Sequence, residues 1–371
     1  MNFTAQKHAQ NIAGLGRQDG AALFVTIVLV TVGLVIAGTL TYRHQLNITR
    51  NIKAMNSEQA ILLALSAESW AKSILRQDAQ DNDTDSLQDD WAQIIPVLPV
   101  EGGSMTGCIV DLQSRFNLNN LGTLDQEAYE AAITNPEDDI VEQYINLRTS
   151  LELDAFPEHA AAIIDWIDAD TDLITVGSAE DAEYSLEDPP RVTANAILTS
   201  INELATVSGY SLNDVRELEE YVVALPSITA VNVNTAPPLV LQNISTVIDD
   251  FAVEGIIEDR PFEDLGEFYQ SLDEQISFLG EAELRQQLPQ NLISVESNFF
   301  ELRVQVEIFG ENVALTSVFQ RASASDVRTL SRDFEYIPDL SLEEDEINPV
   351  GLRCGQDEDL EDLEDSEEEI T

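Results

Sequence analysis

After a short polar start, positions 21–40 read AALFVTIVLVTVGLVIAGTL, an apolar run without a single charge. About twenty such residues cross a bilayer as one helix, because a helix satisfies its own backbone hydrogen bonds. The apolar pattern then changes without stopping. Leu46, Ile52, Met55, Ile61, Leu62, Leu65, Trp70 and Ile74 recur at three- and four-residue steps. That spacing predicts a helix continuing over 42–77 as an amphipathic stalk with one apolar stripe.

A polar stretch (78–90) and a Pro/Gly-containing connector (96–107) follow, and then a short β-prone run at Cys108-Ile-Val-Asp-Leu. From 124 to 292 nearly every segment is helical in pattern and acidic. Helices are predicted over 160–167, with Pro157 at the start, and over 200–207, 213–225 (stopped by Pro226), 247–257 and 264–272. The period then switches to two. Leu302, Val304, Val306 and Ile308 alternate with Glu301, Arg303, Gln305 and Glu307, a strand with one buried face. A turn at 310–312 leads to a second strand over 313–319, and a weaker third runs over 327–335. Two hairpin strands alone are marginal, so the strand around Ile109 is expected to complete the sheet.

The fold class that results is α+β. It comprises a leader (1–20), a transmembrane and stalk helix (21–80), an antiparallel sheet domain in two parts (81–121 and 293–335), an inserted all-α domain (122–292) and a tail (336–371). The tail is dominated by Asp and Glu over 357–369 and reads as a solvated segment.

Charge narrows the function classes. Eighteen Lys and Arg stand against 69 Asp and Glu, a formal net charge of -51. Such a surface disfavours nucleic-acid backbones and anionic lipid and suits cationic partners or divalent metals. With 44% hydrophobic residues the chain still builds real cores. Two cysteines, Cys108 and Cys354, are too few for a disulfide scaffold. A Cys108–Cys354 bond outside the cytoplasm and two free thiols are both compatible with the sequence.

Lys7, Arg17 and Gly20 precede the apolar run, so the small residue sits before the membrane segment instead of after it, as in a secretory signal. Cleavage after Gly20 would leave the helix attached, beginning at Ala21; an uncleaved anchor is the other reading. The densest carboxylate cluster is Asp168, Asp170 and Asp172, followed by Glu180, Asp181 and Glu183. Alternating acids after a helix gather hard oxygens as a calcium loop does. Leu173 replaces the required Gly, and Glu180 falls one place late, so the pattern is an irregular site, with a solvated acidic run as the alternative. The segment 227–236, ending Val-Asn-Val-Asn-Thr-Ala before Pro237 and Pro238, is like the entry to a helix-hairpin-helix unit. There Asn and Thr would cap a helix with the prolines in its first turn. Catalysis finds little support. Asp165 and Asp168 share a helical face, which is uninformative in so acidic a chain, and His159 has no Ser or Cys partner in the pattern.

Taken in order, the leader ending at Gly20 and the phrases at 111–121 (DLQSRFNLNNL), 165–170 (DWIDAD), 179–184 (AEDAEY) and 231–236 (VNVNTA) resemble the minor pseudopilin K family of type II secretion systems. The resemblance implies a pilin-like sheet domain with a large helical insertion, of the SAM or helix-hairpin-helix kind. It implies prepilin peptidase cleavage between Gly20 and Ala21, methylation of Ala21, and structural calcium in the helical domain. The implied location is the bacterial inner membrane, single pass, with the globular part in the periplasm. Its implied partners are the I- and J-type minor pseudopilins and the major pseudopilin at the pseudopilus tip, with no nucleic acid. Pilin-type subunits mostly carry Glu at the fifth mature residue. Here that residue is Val25, which suits a subunit with none ahead of it. A minor type IV pilin or a competence-type DNA-binding pilin-like protein is the alternative from a different class. A membrane-anchored hydrolase using Asp165 is the third.

Overall fold

One helix, α1 (Asp19–Asp81), carries both the apolar run and the stalk without a break. This computed structural model describes residues 19–93, 95–134, 140–276 and 280–337, so most of the leader and the acidic tail, with Cys354, lie outside it. The chain divides into two units, Met1–Gln59 and Ala60–Thr371. In the first, every α1 residue from 21 to 55 is exposed, and the mean hydropathy over its most apolar window reaches 2.6. In the second, α1 buries a different face from the expected one. Ala60, Ala64, Ala67, Ala71 and Leu75 are buried, whereas Leu62 and Trp70 of the predicted stripe are exposed and Ile61, Leu65 and Ile74 pack at the margins. Small side chains let the helix backbone approach the sheet closely, and the bulky residues flank the seam.

The sheet has the order β1-β2-β7-β8-β9: β1 (Ile95–Val100), β2 (Gly103–Asp111), β7 (Phe299–Ile308), β8 (Glu311–Ser323) and β9 (Asp326–Ile337). All its pairings are antiparallel. Leu302, Val304, Val306 and Ile308 line one face, with Val313, Leu315 and Phe319 opposite them, and α1's alanines close the core. Truncating such a residue, Leu302→Ala for example, costs about 2–5 kcal/mol. The segment read as a connector forms a hairpin. β1 is an edge strand, where Pro96 and Pro99 are tolerated, and Gly102 turns the chain at φ 87°. Gly103 has no room for a side chain, since a Cβ would sit 1.7 Å from the Glu307 carbonyl oxygen.

Between β2 and β7, which are neighbours in the sheet, the helical region forms two cores. The first gathers α2 (Gln126–Thr134), α3 (Ile140–Ser150), α4 (Pro157–Ile167), α5 (Asp181–Tyr184) and α6 (Leu212–Leu218). The second gathers α7 (Pro238–Ile244), α8 (Asp250–Asp259), α9 (Leu265–Ile276) and α10 (Glu281–Gln287). Two predicted helices are altered. The stretch 201–206 is a 3-10 turn, and the helix expected over 213–225 ends at Leu218. Its β-branched Val222 and Val223 become β4 (Val222–Val223), paired in parallel with β3 (Phe116–Asn117). A second parallel pair joins β5 (Val231–Asn232) to β6 (Ile293–Ser294).

Two motif phrases meet at the seam between insert and sheet. Asp111 Oδ2 accepts from Thr235 Oγ1 (2.6 Å), Ser297 Oγ (2.6 Å) and Asn232 Nδ2 (3.2 Å). Burial pushes the Asp111 carboxyl up to about 6, while the Ser297 and Thr235 hydroxyls and the Gln113 N–H hold it down. Asn119 donates to the Leu198 and Leu225 carbonyls and accepts from the Leu198 N–H. The expectation that Asn and Thr cap a helix is therefore corrected. Thr235 and Asn232 face the buried Asp111, and α7 starts at Pro238 with Pro237 as its N-cap and no side-chain cap.

Candidate metal centre

α4 is apolar on nearly every face, and its last turn carries one buried acid. Asp165 is fully buried, and its Oδ1 accepts the Ile174 N–H at 2.9 Å, folding the following loop back over the helix end. Asp168 closes α4 as its C-terminal cap. The loop returns at Glu180, the N-cap of α5, whose Oε2 accepts from the Asp181 N–H at 3.2 Å. One carboxylate oxygen each from Asp165, Asp168 and Glu180 lies within 4.8 Å of the others. Asp165 Oδ2, Asp168 Oδ1 and Glu180 Oε1 are buried and have no hydrogen-bond partner. An orphaned buried acceptor costs about 1–3 kcal/mol, more when charged, so the three together are costly unless a cation or added protons meet them.

The other acids of the sequence cluster lie outside this triad. Asp181 Oδ1 accepts from the N–H and Oγ1 of Thr193, both at 2.9 Å, and Glu183 Oε2 accepts from the Glu180 N–H at 3.1 Å, completing the capping box. Asp170 accepts from the Asp172 N–H at 2.8 Å, and both are exposed. Of the six residues singled out, the structure brings Asp168 and Glu180 together and adds Asp165. Asp165 stood out in the sequence as an acid three residues before Asp168 on the same helical face and as the first residue of the phrase at 165–170, but not as a metal ligand.

The electrostatics point the same way. Burial pushes Glu180 up to about 7 and Asp165 up to about 6, and it raises Asp168, with neighbouring carboxylates adding to each. Among the described residues, no Lys or Arg pairs with any of the three. Orphaned hard oxygens of this number and charge fit a divalent cation of the calcium type. Trp166 packs edge-on against Tyr184 at 5.5 Å, and Arg191 lies over Tyr184 at 4.5 Å while pairing with Glu187, which braces α5 against α4. Away from this site, Cys108 is buried in β2, and its candidate disulfide partner Cys354 lies outside the described residues.

A membrane-length apolar helix running into an antiparallel sheet, with a helical domain spliced between adjacent strands, defines a pilin-type subunit with an inserted domain. The family model described as Type II secretion system (T2SS), protein K matches residues 114–227, which lie within that insert. Type II secretion system protein K of Aeromonas hydrophila is 32% identical over 328 residues, covering 85% of this chain and 97% of that protein. The protein K of Pseudomonas aeruginosa is 29% identical over 330 residues, 85% of this chain and 92% of its own. The crystal structure of the GspK-GspI-GspJ complex from the enterotoxigenic Escherichia coli type 2 secretion system contains a chain with the same fold. Its TM-score is 0.65 at 24% identity, over 78% of this chain and all of that one. The chain belongs to the type II secretion system protein K family.

Proposed function

We propose that the protein is a minor pseudopilin that caps the tip of a periplasmic pseudopilus with I- and J-type minor pseudopilins, supporting export of folded proteins across the outer membrane. The observation that carries this reading is α1. Its outer part is apolar and exposed all round, and its inner part is built into the sheet domain. A helix of that kind is stable in lipid or bundled with sister helices, and not in water. Prepilin peptidase cleaves between Gly20 and Ala21, Ala21 is methylated, and the helix stays in the inner membrane with the globular part in the periplasm. Val25 leaves no buried acid unpaired where no subunit sits ahead, and the bulky insert blocks further addition. Calcium bound by Asp165, Asp168 and Glu180 braces the insert. The role is one of assembly, in keeping with the family.

Mass spectrometry of the mature N-terminus, combined with co-purification with the I- and J-type partners, tests the proposal. A methylated chain beginning at Ala21, a Gly20→Ala variant that stays unprocessed, and a complex with both partners are expected. A native chain beginning at Met1, or no affinity for either partner, would overturn it.

A further inference from the structure

A second carboxylate cluster lies where α1 ends. Asp78 is in the last turn of α1, and Asp85 and Asp89 follow in the polar stretch before β1; one oxygen of each lies within 4.8 Å of the others. Arg321 of β8 covers one side. Its Nη1 is 2.8 Å from Asp78 Oδ2, and its Nη2 reaches Asp85 Oδ2 and donates to the Ser297 carbonyl at 2.8 Å. The guanidinium stacks 4.7 Å above Phe300 and is held in that place. Asp85 Oδ2 also accepts from the Ser297 N–H at 2.7 Å. Asp89 accepts from the Ser86 N–H at 2.7 Å and from Asn82 Nδ2 at 3.3 Å.

Charge and hydrogen bonding are left unbalanced by these contacts. Three carboxylates face one guanidinium, and Asp111 lies behind them as a further buried acid. The C-terminus of α1 adds the negative end of its helix dipole. Asp85 is 1% exposed, and its Oδ1 is buried with no hydrogen-bond partner at all. We propose that Asp78, Asp85 and Asp89 form a second divalent-cation site, taking a hard ion such as calcium, that locks the end of the stalk helix to the sheet. A divalent ion matches the excess left after Arg321 and supplies the partner that Asp85 Oδ1 lacks. The site is separate from the triad on α4 and does not depend on the role proposed above.

The test is calcium stoichiometry and affinity of the full chain in detergent, by equilibrium dialysis with elemental analysis. Asp85 is left intact because it anchors Arg321. Asp89→Asn, alone or with Asp78→Asn, is expected to lose one ion per chain or to weaken it by ~10-fold or more. Glu180→Gln is expected to keep that ion. Unchanged stoichiometry and affinity in Asp78→Asn/Asp89→Asn, or no bound ion in Glu180→Gln, would overturn the assignment. Should the variants fail to fold, crystals of the unsubstituted protein grown in calcium decide. Density about 2.3–2.6 Å from the three carboxylates supports the site, and its absence, with a proton shared between Asp78 and Asp85, refutes it.

Discussion

Glu68 on the stalk helix and Glu180 in the insert are equally buried, each 2% exposed, yet their carboxyls are driven in opposite directions. Burial raises both. Around Glu68 it is overcome by Arg332, whose Nη2 donates at 2.9 Å, by Lys72 at 2.8 Å and by Thr329 at 2.7 Å, and the carboxyl falls to about 2. Around Glu180 nothing cationic answers, and it rises to about 7. Glu68 is met by counter-charges from its own helix and from β9; Glu180 has none among the described residues. In a chain this acidic, burial alone therefore does not mark a binding site. What sets Glu180 apart is a buried carboxylate oxygen that neither a cation nor a hydrogen-bond donor meets.

Calcium removal separates the two regions most strongly. An ion at 100–1,000 times its dissociation constant stabilises by about 3–4 kcal/mol, so chelator should lower the melting temperature of the solubilised full chain by that equivalent. Glu180→Gln should abolish the part of the difference that comes from the triad on α4 and leave the part that comes from the Asp78, Asp85 and Asp89 cluster, and Glu68→Gln should leave both intact. A calcium response lost in the Glu68 variant and kept in the Glu180 variant would invert the comparison.

Truncation is the next largest effect. Glu68→Ala should cost ~2 kcal/mol in urea unfolding, whether or not calcium is present. That is less than the 3–5 of a fully buried broken pair, because Arg332 is half exposed. Glu180→Ala should destabilise only with calcium. In chelator it should be neutral or slightly stabilising, since it removes an unsatisfied carboxylate.

The pH dependence is the smallest and sharpest of the three. The folded value of Glu180 lies above the ordinary 4.5, so the folded state holds the proton more tightly. Without calcium, stability should fall as pH rises from about 4.5 to about 7, and calcium should flatten that slope. The folded value of Glu68 lies below 4.5, so its contribution is complete above that pH and is lost as pH drops toward 2. Melting temperatures across pH with and without chelator check both signs. A chelated protein equally stable at pH 5 and pH 7 would refute the Glu180 assignment.

Period-two strands such as β7 were legible because each alternate residue faces one core. The stalk's packing face was not, because alanines carry it, and a pattern weighted to large side chains points to Leu62 and Trp70 instead. β1 was hidden by its prolines, which only an edge position permits. At the candidate centre, Asp168 and Glu180 could be found as acids near a helix end, but their union with Asp165 depends on the loop that folds back onto Asp165 through the Ile174 N–H. Of Glu68's partners, Lys72 stands four residues on in the same helix and is legible as an i,i+4 pair, whereas Ser317, Thr329 and Arg332 come from β8 and β9, remote in sequence.

Asp111 pairs directly across from Phe300 although the whole insert lies between them in the chain. Zipping β2 to β7 from an unfolded chain would mean closing an enormous loop, an entropic penalty met before any ladder bond forms. A collapsed insert delivers its two ends side by side and removes most of that penalty. The expected folding order is therefore from the inside outward, with the guest domain forming before the host sheet closes on the exit points it presents.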